Sequence, residues 1–370
     1  MTGRRVMIAG AGPVGMICAL ALVKRDVPVL VIERESSPPR DHRAATIQPS
    51  TLELLDELGL AQKILPLGLQ ESRMRYHDRC SGDLIAEFDF KVLEDEVRHP
   101  FVLQYEQWKL VTSVFQELKD EDRFEIRFAS TAIALTQDER RVAVTVRNQE
   151  SSEEILHGDY LVGCDGAQSF VRTALGIPFE GYTYPEKFIK LATPFDFSEA
   201  GYDVTRNYFA DPHEWMMLFK VMHLGPPGLW RCIFPTRLGE SDDDCLQPDN
   251  MQRRLNGFVA NPDPYDISEF AVYHVHQRVA ARFRKDRVLL AGDAAHVHNP
   301  IGGLGMNAGI HDAMNVADKL ARVLTDGESM DNLELYARER HLAQTEFSQE
   351  HTARNKKLLE QRDPEARRAQ

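Results

Sequence analysis

Residues 4–34, RRVMIAGAGPVGMICALALVKRDVPVLVIER, constrain this chain more than any other stretch. Val6 to Ala9 is a short apolar run with the length and composition of a buried parallel strand. Gly10, Gly12 and Gly15 follow with G-x-G-x-x-G spacing. The first permits a tight turn, the second lets the backbone approach a pyrophosphate, and the third lets the next helix pack closely on the sheet. Pro13 suits the first turn of that helix, which runs to about Lys24 and aims its positive N-terminal end at the phosphates. Val27 to Ile32 reads as the second strand. Glu33, with Arg34 after it, stands at the carboxyl end, where a carboxylate can accept hydrogen bonds from both hydroxyls of an adenosine ribose. Strand, glycine turn, helix, strand and acid in one unit describe a dinucleotide cradle. The uncharged run from Val6 to Val23 could pass for a secretory leader, but three glycines and a proline interrupt it, and no small-residue cleavage site precedes Lys24-Arg25-Asp26.

The chain has 370 residues, enough for two domains with large cores. Lys and Arg number 44 against 57 Asp and Glu, a net charge of −13 that speaks against nucleic-acid or anionic-membrane partners. Cys18, Cys80, Cys164, Cys232 and Cys245 are scattered and form no C-x-x-C pair. That is the pattern of a reduced cytoplasmic protein with no disulfide frame and no structural zinc. Apart from the rejected leader, no stretch is apolar and long enough to span a bilayer.

Beyond the cradle, Ser36-Ser37-Pro38-Pro39 is a loop that delivers Arg40 to Arg43 toward the nucleotide. Ser50-Thr51-Leu52-Glu53 reads as a capping box for a short helix stopped by Gly59. Residues 73–92 read as a hairpin around Ser81-Gly82-Asp83, and Phe101 to Lys119 as one amphipathic helix. Residues 123–135, 141–147 and 154–162 read as strands, the last running into Cys164-Asp165-Gly166, with a short helix from Ser169 to Leu175. Between 182 and 278 the pattern becomes that of antiparallel strands rich in aromatics, with Ser241 to Asn250 a polar, acidic loop. Arg287 to Asn307, RVLLAGDAAHVHNPIGGLGMN, then repeats the pattern of the N-terminal stretch. A buried strand breaks at Gly292-Asp293, a glycine-rich turn spans Pro300 to Gly305, and a long amphipathic helix follows. From Asn332 onward the tail is a charged helix or pair of helices.

Three separated motifs, GAGPVG at 10–15, CDGAQSFVR at 164–172 and the 287–307 block, resemble those of the single-component flavoprotein aromatic hydroxylases of the p-hydroxybenzoate hydroxylase fold. The last block is most similar to the phenol and polyketide hydroxylase subgroup, and the resemblance runs from about residue 4 to 340. It implies an α/β fold class: a dinucleotide-binding, Rossmann-like FAD domain (1–72, 98–181 and 279–340) with an inserted, mostly antiparallel β-sheet substrate domain (73–97 and 182–278) and a C-terminal helical tail (341–370). It implies FAD as cofactor, NAD(P)H as co-substrate, O2, a small aromatic substrate, and a monomer or homodimer. Gly10, Gly12, Pro13, Gly15, Glu33 and Arg34 would hold the ADP half, Arg43 would reach the pyrophosphate, and Gln104 the flavin's sugar chain. Asp165 belongs to a motif linked to both FAD and NAD(P)H. Gly292 and Asp293 would serve the ribityl chain, and Pro300 would lie beside the isoalloxazine. The backbone N–H groups of Gly303, Leu304, Gly305, Met306 and Asn307 would face the pyrimidine edge, where a helix N-terminus stabilises the negative charge of reduced flavin. Asn299-Pro300 stands where many relatives have two prolines.

The implied reaction is hydroxylation of a phenolic ring by way of a flavin C4a-hydroperoxide, in a pocket that excludes water. A phenol titrates like tyrosine, at a pKa of roughly 10, so an activating base or acceptor is wanted. His213, His223, Tyr208 and Tyr182 of the inserted domain are the candidates beside Pro300. His296 and His298, at i, i+2 spacing with no third ligand, read as hydrogen-bonding residues and not as a metal site, and Arg172 as a surface ion-pair residue. The cradle motifs also suit a non-catalytic FAD-binding sensor or carrier, or a flavin reductase or halogenase on the same fold. A halogenase would carry Trp-x-Trp-x-Ile, whereas Trp108, Trp215 and Trp230 stand apart.

Overall fold

The computed structural model describes residues 5–40 and 44–368. Val6–Ala9 runs parallel to Val29–Ile32 on one side and to Tyr160–Gly163 on the other. The completed six-stranded sheet has the order 284–285, 288–290, 160–163, 6–9, 29–32, 124–127, antiparallel only at the Arg284–Lys285 edge. Its central strands are buried at every residue, as unbroken apolar runs in a doubly covered parallel sheet must be. The helix Pro13–Val23 is buried from Gly15 to Val23 because it lies between that sheet and the helices Gln107–Leu118 and Gly305–Thr325. An apolar circumference suits that enclosed position.

The second large sheet has eight strands in the order His296–Val297, Glu269–Ala280, Phe179–Thr193, Leu229–Pro235, Met216–Val221, Arg206–Ala210, Arg73–Asp78, Leu84–Asp89. It is antiparallel except where Arg206–Ala210 meets Arg73–Asp78, so the early hairpin joins the same sheet as the later strands. Alternate residues divide between its faces. Ile189, Leu191, Phe209, Met216, Leu218, Cys232 and Phe234 build a core with Met251, Leu255 and Tyr265 on one side. The stretch expected as a polar loop from Ser241 instead forms the helices Asp242–Cys245 and Pro248–Asn256, and their apolar residues roof this core.

Other departures share one cause, pairing that overrides local pattern. The single helix expected over Phe101 to Lys119 splits into Val102–Gln104 and Gln107–Leu118, since the first segment pairs with Thr46–Ile47 and Leu69–Glu71. The run 154–162 breaks at Asp159, whose carboxylate accepts the Arg5 N–H. Its halves join different sheets, Glu153–Gly158 pairing with Val142–Asn148 and Tyr160–Gly163 with Val6–Ala9. The helix Pro49–Glu57 begins at the proline without a side-chain cap, so the capping box at Ser50 does not form. The tail comprises Asp331–Leu342, a π-helical stretch Ala343–Ser348, Gln349–Leu359 and Pro364–Arg368, and Arg367 Nε donates to Asp78 Oδ2 at 2.9 Å. Among the described residues no helix is long and apolar enough to cross a membrane.

Candidate active site

A cavity of about 1040 Å³ runs from the carboxyl ends of the parallel strands to one face of the eight-stranded sheet. Ligands of doubly wound sheets bind at those strand ends. Gly10, Gly12, Pro13, Glu33 and Arg34 line its first end. Gly10 has φ +99° and a Cβ there would lie 2.5 Å from the Cys164 carbonyl oxygen, while a Cβ at Gly15 would lie 2.0 Å from the Gly10 oxygen. Both positions are closed to any side chain. A Cβ at Gly12 would meet nothing within 4 Å, so that backbone fronts open space. Glu33, 5 % exposed, accepts the N–H groups of Ala11 at 2.6 Å and Glu35 at 2.8 Å. A carboxylate has about four acceptor positions, so roughly half remain for a ligand. Arg34 is largely exposed beside Glu35, and Arg43 lies outside the described residues.

Further along, Gln104 is fully buried. Its Oε1 accepts from Thr46 Oγ1 at 2.9 Å, while its Nε2 has no partner among the described residues. Burying such a donor unsatisfied costs roughly 1–3 kcal/mol, which a ligand acceptor in the cavity would offset. The Asp165 carboxylate accepts Ser169 Oγ at 2.5 Å and the Val171 N–H at 3.0 Å, which starts the helix Phe170–Ala174. Burial raises its pKa in spite of these bonds. Arg172 does not pair with a surface acid: it is buried and donates to the carbonyls of Ala294 (2.9 Å) and Ala167 (2.8 Å), tying the Asp165 turn to the Asp293 turn.

Asp312, fully buried, fixes that second turn. Its Oδ2 accepts the Gly292 N–H (2.9 Å) and faces His296 Nε2 (2.6 Å), and its Oδ1 accepts Arg340 Nε (2.6 Å). Burial alone would raise this carboxyl, yet His296 and Arg340 hold it at about 2. Asp293, Pro300, Gly303, Gly305 and Met306 line the cavity; Gly15, Gly292, Leu304 and Asn307 do not. Asn307 is a strut, accepting the Gln48 N–H at 2.9 Å and donating to Thr46 O at 2.9 Å and Gly303 O at 2.6 Å.

The far wall follows from strand register. Ala271, Lys190, Ile233, Met217, Tyr208 and Tyr76 stand directly opposite one another across six strands, hence on one face. The first five of them line the cavity. Two residues along each strand comes the row Glu269, Ala192, Arg231, Phe219 and Arg206. Three cations therefore share this mostly apolar face. Lys190 Nζ lies 3.3 Å and Arg231 Nη2 3.8 Å from the single carboxylate, Glu269. Arg206, 5 % exposed, donates through Nη2 to Tyr208 Oη (3.0 Å) and Gly302 O (3.1 Å), and its Nη1 has no partner among the described residues. None of its partners among the described residues is a carboxylate.

Of the residues expected to activate a substrate, Tyr208 stands in this wall and Pro300 faces it across the cavity. The other three do not line the cavity. His213 is exposed in the turn after Ala210, where its N–H donates to Asp211 Oδ1. Tyr182 is 49 % exposed, on the far side of the register shift after Thr183; its hydroxyl bonds only to that of Tyr184, among the described residues. His223 sits beyond the end of its strand, its Nδ1 3.6 Å from Glu269 Oε1. His296 has the expected hydrogen bond, but His298 does not: it lines the cavity, neither ring nitrogen has a hydrogen-bond partner among the described residues, and burial together with the neighbouring His296 pushes its pKa down to about 3. Lys190, Arg206, Met217, Phe219, Ile233 and Tyr273 were not singled out from sequence. The one signal available was a lone arginine in phase with Tyr208 inside the buried strand Arg206–Ala210.

Comparison with known proteins agrees with this geometry. The profile of the FAD binding domain family matches residues 4–351. Para-nitrophenol 4-monooxygenase of Pseudomonas sp. strain WBC-3 is 34% identical over 364 residues, covering 98% of this chain and 89% of that protein. The 6-hydroxy-3-succinoylpyridine 3-monooxygenase HspB of Pseudomonas putida is 34% identical over 342 residues, 91% of this chain and 84% of its own. The crystal structure of p-nitrophenol 4-monooxygenase PnpA from Pseudomonas putida DLL-E4 superposes with a TM-score of 0.93 at 32% identity, covering 99% of this chain and 91% of that one. The chain belongs to the FAD binding domain family and, within it, to the flavin-dependent aromatic monooxygenases.

Proposed function

We propose that this enzyme uses FAD, NAD(P)H and O2 to hydroxylate a phenolic ring that carries a negative charge. The observation that carries the reading is Arg206, a buried guanidinium without a carboxylate partner among the described residues, on the wall of a cavity that begins at a dinucleotide cradle. An uncompensated buried cation is costly, and an anionic ligand offsets that cost.

The residues present fit FAD: open space at Gly12, spare acceptor positions on Glu33, and the orphaned Gln104 Nε2 follow one another along the groove. In this reading Gly10, Gly12, Pro13, Gly15, Glu33 and Arg34 hold the ADP half, with Arg43 at the pyrophosphate. Gln104, Asp165, Gly292 and Asp293 serve the sugar chain. Pro300 and the backbone from Gly303 to Asn307 face the ring system, Asn307 through its main chain because its side chain is committed elsewhere. FAD supplies acceptance of hydride from NAD(P)H and activation of O2 for insertion into the ring. The protein binds, orients and keeps water out. Arg206 gives the wall the positive charge that attracts the anionic oxygen of the substrate, and it also holds the Tyr208 hydroxyl in place. Met217, Phe219, Ile233 and Tyr273 surround the ring with apolar surface. Residues 73–97 and 182–278 thus act as the substrate domain against the FAD domain formed by the rest up to 340. A cytoplasmic setting supplies NAD(P)H and keeps the five cysteines, free in the structure, reduced.

The test is anaerobic reduction of the FAD-loaded protein by NADH and by NADPH, with p-nitrophenol, 4-hydroxybenzoate and neutral 4-hydroxybenzamide as probes. A bound phenol is expected to accelerate reduction, the anions more than the amide. Arg206→Met should weaken anion binding by about ten- to hundredfold and binding of the amide much less. Flavin that neither nucleotide reduces under any condition would sink the hydroxylase reading. A preference for anions that survives in Arg206→Met would sink the role of Arg206.

A further inference from the structure

The glycine-rich turn that faces the cavity is held in shape by the C-terminal tail. Gly302 and Gly303 have φ of +100° and +69°, so the turn has little conformational preference of its own. Its flanks are pinned from outside. Asn299, fully buried, donates from its backbone to Gln277 Oε1 (3.1 Å) and from Nδ2 to the Thr352 carbonyl (2.9 Å), while its Oδ1 accepts the Ile301 N–H (3.1 Å). Gln277, 4 % exposed, donates to Thr352 Oγ1 (2.8 Å) and the Gln349 carbonyl (2.9 Å). Gln349 Nε2 reaches back to the Val297 carbonyl at 3.1 Å, and Asn355 Nδ2 to that of Ile301 at 3.4 Å.

We infer that the helix Gln349–Leu359 is a positioning element for the reaction: through a buried clasp of Thr352, Gln277 and Asn299 it sets the flavin-facing turn against the substrate wall. The inference rests on the reading of the groove as an FAD site. Gln277 lies on the strand that contributes Tyr273 and Val275 to the cavity, so the clasp joins one wall of the site to the turn opposite. Ile301 and Leu359 already supply apolar packing at this junction. Stability alone would be served by more of the same, whereas a fully satisfied amide network selects one geometry. The turn leads directly into the helix Gly305–Thr325, whose first N–H groups front the cavity. A shift of the turn therefore moves the donors that stabilise reduced flavin.

The experiment compares wild type, Thr352→Val, Thr352→Ser and Gln349→Leu as FAD-loaded proteins. It reads the FAD dissociation constant, the flavin midpoint potential, and hydrogen exchange of residues 297–303. Thr352→Val removes one hydroxyl at nearly constant shape. It is expected to weaken FAD binding by about fivefold, lower the midpoint potential and speed exchange in the turn, with Thr352→Ser restoring all three. Gln349→Leu is expected to act in the same direction from a less buried position, and it decides the matter if Thr352→Val does not fold. Variants that melt at lower temperature but keep wild-type affinity, potential and exchange would overturn the inference. Wild type that binds no FAD would undo the reading of the groove instead, and exchange in the turn of the cofactor-free variants would still decide the clasp.

Discussion

Arg206 and His298 each keep buried nitrogens with no hydrogen-bond partner among the described residues, and they meet burial in opposite ways. A guanidinium cannot shed its proton, so Arg206 stays a cation and waits for an anion. An imidazole can, and burial beside His296 pushes the pKa of His298 down to about 3. The lowered value has a definite sign in stability. At neutral pH both folded and unfolded His298 are uncharged; as pH falls below the unfolded value of about 6.5 the unfolded chain takes up a proton that the folded chain refuses. The stability contribution is thus present above about 6.5 and is lost as pH falls toward 3, amounting to up to about 2 kcal/mol at pH of about 5. Urea unfolding of flavin-stripped protein at neutral pH and near pH 5 should show His298→Gln losing less stability than wild type by that amount. Other titrating groups, such as His276 and His77, cancel in the difference. Equal losses in the two proteins would mean that His298 is not desolvated.

At the scale of elements, the three cradle glycines make separable demands. Replacing Gly by Ala inside a helix ordinarily stabilises by about 0.5–1 kcal/mol. At Gly15 the added Cβ would lie 2.0 Å from the Gly10 carbonyl oxygen, so the helix must move off the strand. Gly15→Ala is therefore expected to destabilise the cofactor-free protein by about 1–3 kcal/mol, the ordinary cost of overpacking. Gly12→Ala meets no protein atom within 4 Å and should leave that stability unchanged while costing FAD affinity. Chemical unfolding and FAD titration of the pair separate the two roles, and matching effects in both variants would count against them. These glycines were legible in the sequence because the strand, turn, helix and acid around them lie within some thirty residues, although the strand end that crowds Gly10 comes from Cys164. The 287–307 block was legible for the same reason. The substrate wall was not. Lys190, Met217 and Tyr208 come from three separate strands, and their meeting on one face depends on pairings between distant segments. A slip of one residue would turn each to the other side. His213 falls in a turn and Tyr182 on an exposed stretch of its strand, so neither lines the cavity. The tail, which offered only charge to a reader of the sequence, owes its part in the site to Gln277 and Asn299, residues 72 and 53 positions away from their tail partners Gln349 and Thr352.

For the whole molecule, the decisive feature is that the cores are separate. One apolar cluster fills the space around the parallel sheet and its helices, from Val6 through to Ala337. Two others lie on the opposite faces of the eight-stranded sheet, a small one joins Ala45 to Ala192, Val221 and Leu229, and the cavity runs between the first cluster and the face that carries Tyr208, Met217 and Ile233. The halves meet through polar ties such as Arg206 to Gly302 and Asn299 to Gln277, along with small apolar contacts at Ile301 and Ala45. Chains built this way depart from two-state unfolding. A ligand that touches both walls changes that, because it binds only when both halves are folded and correctly apposed. At a concentration of about a hundred times its dissociation constant, such a ligand stabilises the native state by roughly 2.7 kcal/mol. Calorimetry of the flavin-stripped protein should therefore show a broad or split transition. Added FAD should raise its midpoint and draw it into one sharper peak, since the half that would melt first is then held by its share of the ligand. If FAD lifted one part of the transition and left the other at its original temperature, the cofactor would be bound by the parallel-sheet half alone, and the cavity would not be the joint that couples substrate wall to flavin.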